Sequence, residues 1–75
     1  MNKNEIEIYK EVNRELRFAM TRLSLAIDCV LDAIMFEDTD IKRSASRIIR
    51  RTLEDVKDTV DVILEKINEL EKALT

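Results

Sequence analysis

Lys42, Arg43, Arg47, Arg50 and Arg51 form the densest chemical signal in the chain, five basic residues within ten positions. Cationic side chains at this helical spacing neutralise phosphates, which is how basic clusters hold a nucleic acid. The charge is segregated. Residues 1–40 carry five basic and nine acidic groups, residues 41–52 five basic and none acidic, and residues 53–75 three basic and seven acidic. The net charge of −3 therefore hides one positive segment between two negative ones. A plainer reading competes. Arg50 precedes Glu54 by four and Arg51 precedes Asp55 by four, the spacing of surface ion pairs. In an antiparallel hairpin, Asp28 and Asp32 also fall opposite Arg47 and Arg50.

The carboxylates are the next candidates. Glu7 and Glu11, Glu11 and Glu15, Asp28 and Asp32, and Asp58 and Asp61 are neighbours at helical spacing. Such pairs bind divalent cations when they project into a bundle core with histidine or further glutamate. Here they lie on polar faces beside Lys or Arg, and the chain has no histidine. The absence of histidine also removes any Ser-His-Asp or Cys-His arrangement. With no glycine there is no phosphate-cradling loop. Cys29 is the single thiol and sits among apolar residues, where it reads as a small buried hydrophobe. No catalytic residue, metal or cofactor is expected. Ser44 and Ser46 beside arginines offer phosphorylation acceptors on composition alone.

The elements that carry these residues are helices. Glycine and proline are both absent, while Leu, Ile, Glu, Lys, Arg and Ala dominate. In the second half, Ile49, Leu53, Val56, Val60, Ile63, Ile67, Leu70 and Leu74 alternate spacings of four and three. This is the heptad seam of a coiled coil. Thr52, Thr59, Val62 and Leu64 widen it. In the first half, Tyr9, Val12, Leu16, Ala19, Leu23, Ala26, Val30 and Ala33 keep the same rhythm, with Met20, Ile27 and Ile34 alongside. Alanines at 19, 26 and 33 let a facing helix come close. The rhythm breaks at Glu37-Asp38-Thr39-Asp40, where Asp38 or Thr39 suits a helix N-cap.

The expected fold is all-α, a single domain over residues 1–75. Helix 1 covers about residues 4–36, the turn 37–40, and helix 2 about residues 41–73. The two form an antiparallel hairpin, a helical coiled coil, that dimerises into a four-helix bundle. One continuous helix is the competing arrangement, because neither glycine nor proline enforces the break.

A second apolar stripe on helix 1 joins Phe18, Leu25, Cys29 and Phe36. Together with Leu53, Val60 and Ile67 of the seam, these are the expected interface residues. A chain of 75 residues is marginal alone. With one cysteine it has no internal disulfide, so association is the remaining source of stability. The expected partner is a second copy or, failing that, a larger protein.

No apolar run approaches the ~20 residues that span a bilayer. The polar start Met1-Asn2-Lys3-Asn4-Glu5 lacks the apolar core of a signal peptide. A cytoplasmic protein without membrane contact is expected. The functional expectation is a small, non-enzymatic, self-associating interaction or regulatory module. Nucleic-acid binding through Lys42, Arg43, Arg47, Arg50 and Arg51 is the alternative.

Overall fold

The computed structural model describes residues 2–75 and contains two helices, α1 (Lys3–Met35) and α2 (Thr39–Leu74). Phe36, Glu37 and Asp38 alone connect them, so α2 runs back antiparallel along α1. The hairpin measures 54 × 15 × 12 Å.

Local chemistry fixes the ends. The Asn2 side chain accepts a hydrogen bond from the Glu5 backbone N–H at 2.8 Å, capping α1. Asp38 Oδ1 accepts from the Asp40 and Ile41 N–H groups at 2.7 and 3.3 Å, capping α2. Asp40 then places a carboxylate in the first turn, where the helix dipole is positive. This cap breaks the chain into two helices where no glycine or proline does so.

The seam between the helices is a regular heptad, displaced on each helix from the row of large side chains. On α1 the buried or half-buried positions are Glu5, Ile8, Glu11, Val12, Glu15, Ala19, Arg22, Ala26, Cys29 and Ala33. On α2 they are Ala45, Ile49, Thr52, Val56, Thr59, Ile63, Lys66, Ile67 and Leu70. The expected Val12, Ala19, Ala26 and Ala33 do face α2, and Ile49, Val56, Ile63 and Leu70 do face α1. Their expected companions do not all join them. Tyr9, Leu16, Leu23 and Val30 on α1, and Leu53, Val60 and Leu74 on α2, remain at least 42% exposed. Ile8, Cys29, Thr52 and Thr59 take the adjacent places.

The physical reason is the close approach that small residues permit. Ala19, Ala26, Cys29 and Ala45 are all under 9% exposed. Helices that pack on alanine come nearer than helices held apart by leucine. Among the described residues, a buried cluster of larger side chains, Ile8, Val12 and Leu70 with Ile63 and Ile67 against it, forms near the end of the hairpin away from the connection. Among the described residues, no side chain is less than 2% exposed. A thin seam of this kind leaves the hairpin with little core of its own.

Candidate functional site

Helical geometry divides the outside of the hairpin into two sides. On a helix turning 100° per residue, Tyr9, Leu16, Leu23 and Val30 form a row beside the seam. Ile6, Asn13, Met20, Ile27 and Ile34 form the next row out. On α2 the matching rows are Ser46, Leu53, Val60, Ile67 and Leu74, then Arg43, Arg50, Lys57, Leu64 and Glu71. Because the helices are antiparallel, these four rows share one side of the hairpin. Glu11 and Lys66 lie on the opposite side, joined at 2.9 Å across the helices.

The first side is apolar. Eight of the nine α1 residues in its two rows are large and hydrophobic, and all eight are between 39% and 72% exposed. Only Asn13 interrupts them, and no charge does. Leu53, Val60, Leu64 and Leu74 extend the surface onto α2. Charge enters this side at the outer edge of α2, through Arg43, Arg50, Lys57 and Glu71.

The second side is mixed. Phe18, Leu25, Ile41, Ile48 and Val62 are exposed there, but Glu11, Asp32, Asp55, Lys66 and Glu69 are interspersed among them. Phe18 already has a neighbour, since the Arg22 guanidinium sits 5.8 Å from its ring centroid. The Glu11–Lys66 contact is the strongest ion pair on this side. The lysine hydrogen bond and charge hold the Glu11 carboxyl below its usual range, and the same carboxylate raises Lys66.

The expected interface residues are thus distributed over three places. Phe18 and Leu25 lie on the mixed side. Phe36 caps α1, its N–H bonded to the Asp32 carbonyl at 3.0 Å, with the ring half exposed. Cys29 is buried in the seam, so the stripe drawn through it is not continuous on the surface. Leu53 and Val60 stand on the apolar side, while Ile67 is half-buried against the terminal cluster. The heptad rhythm places Tyr9, Leu16, Leu23 and Val30 in the hairpin seam, yet all four are exposed. The alanines were the signal that could have separated them, because close contact centres on the small residues.

Four of the five basic residues gather around a shallow concavity on α2, lined by Thr39, Lys42, Arg43, Ser46, Arg47 and Arg50, and Arg51 is not among its lining residues. Lys42 pairs with Glu37 at 4.0 Å and Arg43 with Asp40 at 3.8 Å. The expected pairings of Arg47 and Arg50 with Asp28 and Asp32, and of Arg50 and Arg51 with Glu54 and Asp55, do not form. Among the described residues Arg47, Arg50 and Arg51 have no ion pair within 4.0 Å. Among the same residues, no group of three or more His, Cys, Asp or Glu is placed to hold a metal ion. None of the described helices is long and apolar enough to cross a membrane. The chain matches no family model, no curated protein and no solved structure.

Proposed function

We propose that the chain is a small, non-enzymatic interaction module whose working form is a homodimeric four-helix bundle. In this reading the apolar side of one hairpin lies on the apolar side of a second copy. The carrying observation is the uncharged, exposed double row on α1, continued by Leu53, Val60, Leu64 and Leu74. Such a surface marks an interaction site on a small protein.

Two size comparisons support the reading. The radius of gyration is 17.0 Å, against about 11 Å for a compact chain of this length. A compact monomer of 8.8 kDa exposes about 4,800 Å² by the area–mass relation, whereas this hairpin exposes 6050 Å². The excess, roughly 1,300 Å², is more than the ~800 Å² per partner that a stable interface hides. Pairing through this side would give each helix the two-sided packing that four-helix bundles use. The lone thiol, with no second cysteine in the chain, fits a reducing compartment such as the cytoplasm.

Sedimentation equilibrium over a wide concentration range tests this. The expected mass is twice 8.8 kDa, falling to the single-chain mass for Val60→Asp. A single-chain mass for the unaltered protein throughout that range overturns the reading.

The unpaired arginines favour a second reading, binding of a nucleic-acid backbone at the concavity lined by Lys42, Arg43, Arg47 and Arg50, with Arg51 on the same helix. It requires retention of labelled RNA or DNA at low salt, weakening steeply as salt rises and lost in Arg47→Glu. No retention at low salt ends it.

A further inference from the structure

We infer that the two copies pair about a two-fold axis crossing the bundle. Their connections lie at opposite ends, with α1 on α1 of the second copy and α2 on α2. This rests on the self-association proposed above and specifies its geometry.

Two apolar sides can meet with two-fold symmetry in two ways. In one, both connections lie at the same end and each α1 faces the other copy's α2. Within the hairpin, Glu11 meets Lys66 and Ile8 packs with Leu70, so residues facing across it have numbers that add to about 77. The same-end arrangement repeats that register between copies. It sets Ile34 against Arg43, Ile27 against Arg50, Met20 against Lys57 and Ile6 against Glu71. Four of the five contacts in this outer row oppose an apolar side chain to a charge, and the fifth sets Asn13 against Leu64. A charge covered by apolar groups loses hydration without gaining a partner.

The opposite-end arrangement keeps a single kind of charge-on-apolar contact, Arg50 against Leu64, with Asn13 against Ile27 and Ser46 against Leu74 as its polar-on-apolar ones. On α1 the outer row is symmetric about Met20, so that Met20 meets its own copy and Ile34 meets Ile6. The inner row brings Leu16 to Leu23 and Tyr9 to Val30. On α2 the inner row brings Val60 to Val60 and Leu53 to Ile67. The outer row brings Arg43 to Glu71, opposite charges at the rim of the new seam. Lys57 meets its own copy at the axis, with Glu54 and Asp61 one turn to either side. The α1 rows centre on residue 20 and the α2 rows on residues 57–60. Those centres already face each other within the hairpin, so a single axis serves both helix pairs.

A distance measurement between spin labels decides it. With Cys29→Ser as background, Thr39→Cys puts one label beside the connection of each copy, and Thr75→Cys puts one at the other end. Circular dichroism and solution mass first confirm a folded dimer. For either label the expected separation approaches the 54 Å length of the hairpin. A separation of roughly 10–20 Å, the spacing of adjacent or diagonal helices, overturns the opposite-end geometry while leaving self-association standing. A single-chain mass for the unlabelled protein removes the reading itself and the geometry with it.

Discussion

Lys66 Nζ lies 2.9 Å from Glu11 Oε2, the tightest link between the two helices outside their apolar seam. It joins the last third of α2 to the first third of α1 beside the Ile8, Val12 and Leu70 cluster. The contact lies on the mixed, charged side of the hairpin, opposite the row of Tyr9, Leu16, Leu23 and Val30.

The pair should make stability depend on pH in a signed way. The Glu11 carboxyl is held below its ordinary value of 4.5. Its contribution is complete above that value and is lost as pH falls through the lowered one. Lys66 is raised above its ordinary 10.5. Its contribution is complete below 10.5 and is lost as pH rises through the raised value. Glu11→Gln should therefore melt below the unaltered protein at neutral pH, with the gap closing on acidification. The pair is partly exposed, so solvent screening keeps the gap small. A gap that stays constant down to strongly acid pH refutes the stabilising pair.

The alanine seam should resist enlargement. Ala26 is 6% exposed, and Ala26→Leu forces extra volume between helices set at close approach. The expected cost is about 1–3 kcal/mol in denaturant unfolding. A variant as stable as the parent would show that the helices can separate without loss.

The cap at Asp38 should carry the break between the helices. Asp38→Ala removes the acceptor for two backbone N–H groups at the start of α2. A loss of about 0.5–2 kcal/mol is expected, read from chemical denaturation at fixed protein concentration. Asp38→Asn or Asp38→Ser should restore most of it. No difference between Asp38→Ala and Asp38→Ser would refute the capping role.

The two outer sides should respond differently to a charge. Leu23→Asp places a carboxylate in the middle of the apolar side and should dissociate the dimer. Leu25→Asp places one on the mixed side and should leave the solution mass unchanged. Loss of the dimer with Leu25→Asp, and its persistence with Leu23→Asp, would transfer the interface to the Phe18 side.

Much of this was legible in the residues. The four-three spacing of apolar side chains requires helices, and Asp38 and Asp40 mark where one ends and the next begins. The expected seam contains Val12, Ala19, Ala26 and Ala33, and Ile49, Val56, Ile63 and Leu70, which do meet, but it gives equal weight to Tyr9, Leu16, Leu23, Val30, Leu53, Val60 and Leu74, which stay exposed. The arginine cluster was visible as well. Its pairing was not, because reaching Asp28 or Asp32 depends on how the two helices are rotated about their axes.

That rotation is what only the tertiary structure decided. An amphipathic sequence specifies an apolar arc, and each arc here is wider than one partner helix can cover. Within the arc, large residues such as Leu16, Leu23, Leu53 and Val60 offer more area, while alanines and threonines offer closer approach. The choice depends on both helices at once. The hairpin takes the small residues, and Ala19, Ala26, Cys29, Ala45 and Thr52 are all buried in its antiparallel seam. Leu16, Leu23, Leu53 and Val60 are left facing outward on one side, and Phe18, Leu25, Ile48 and Val62 on the other. Sequence alone thus determined the helices, their break and the breadth of their apolar surface. Packing between the two helices determined which part of that surface is used inside the chain and which part stays open.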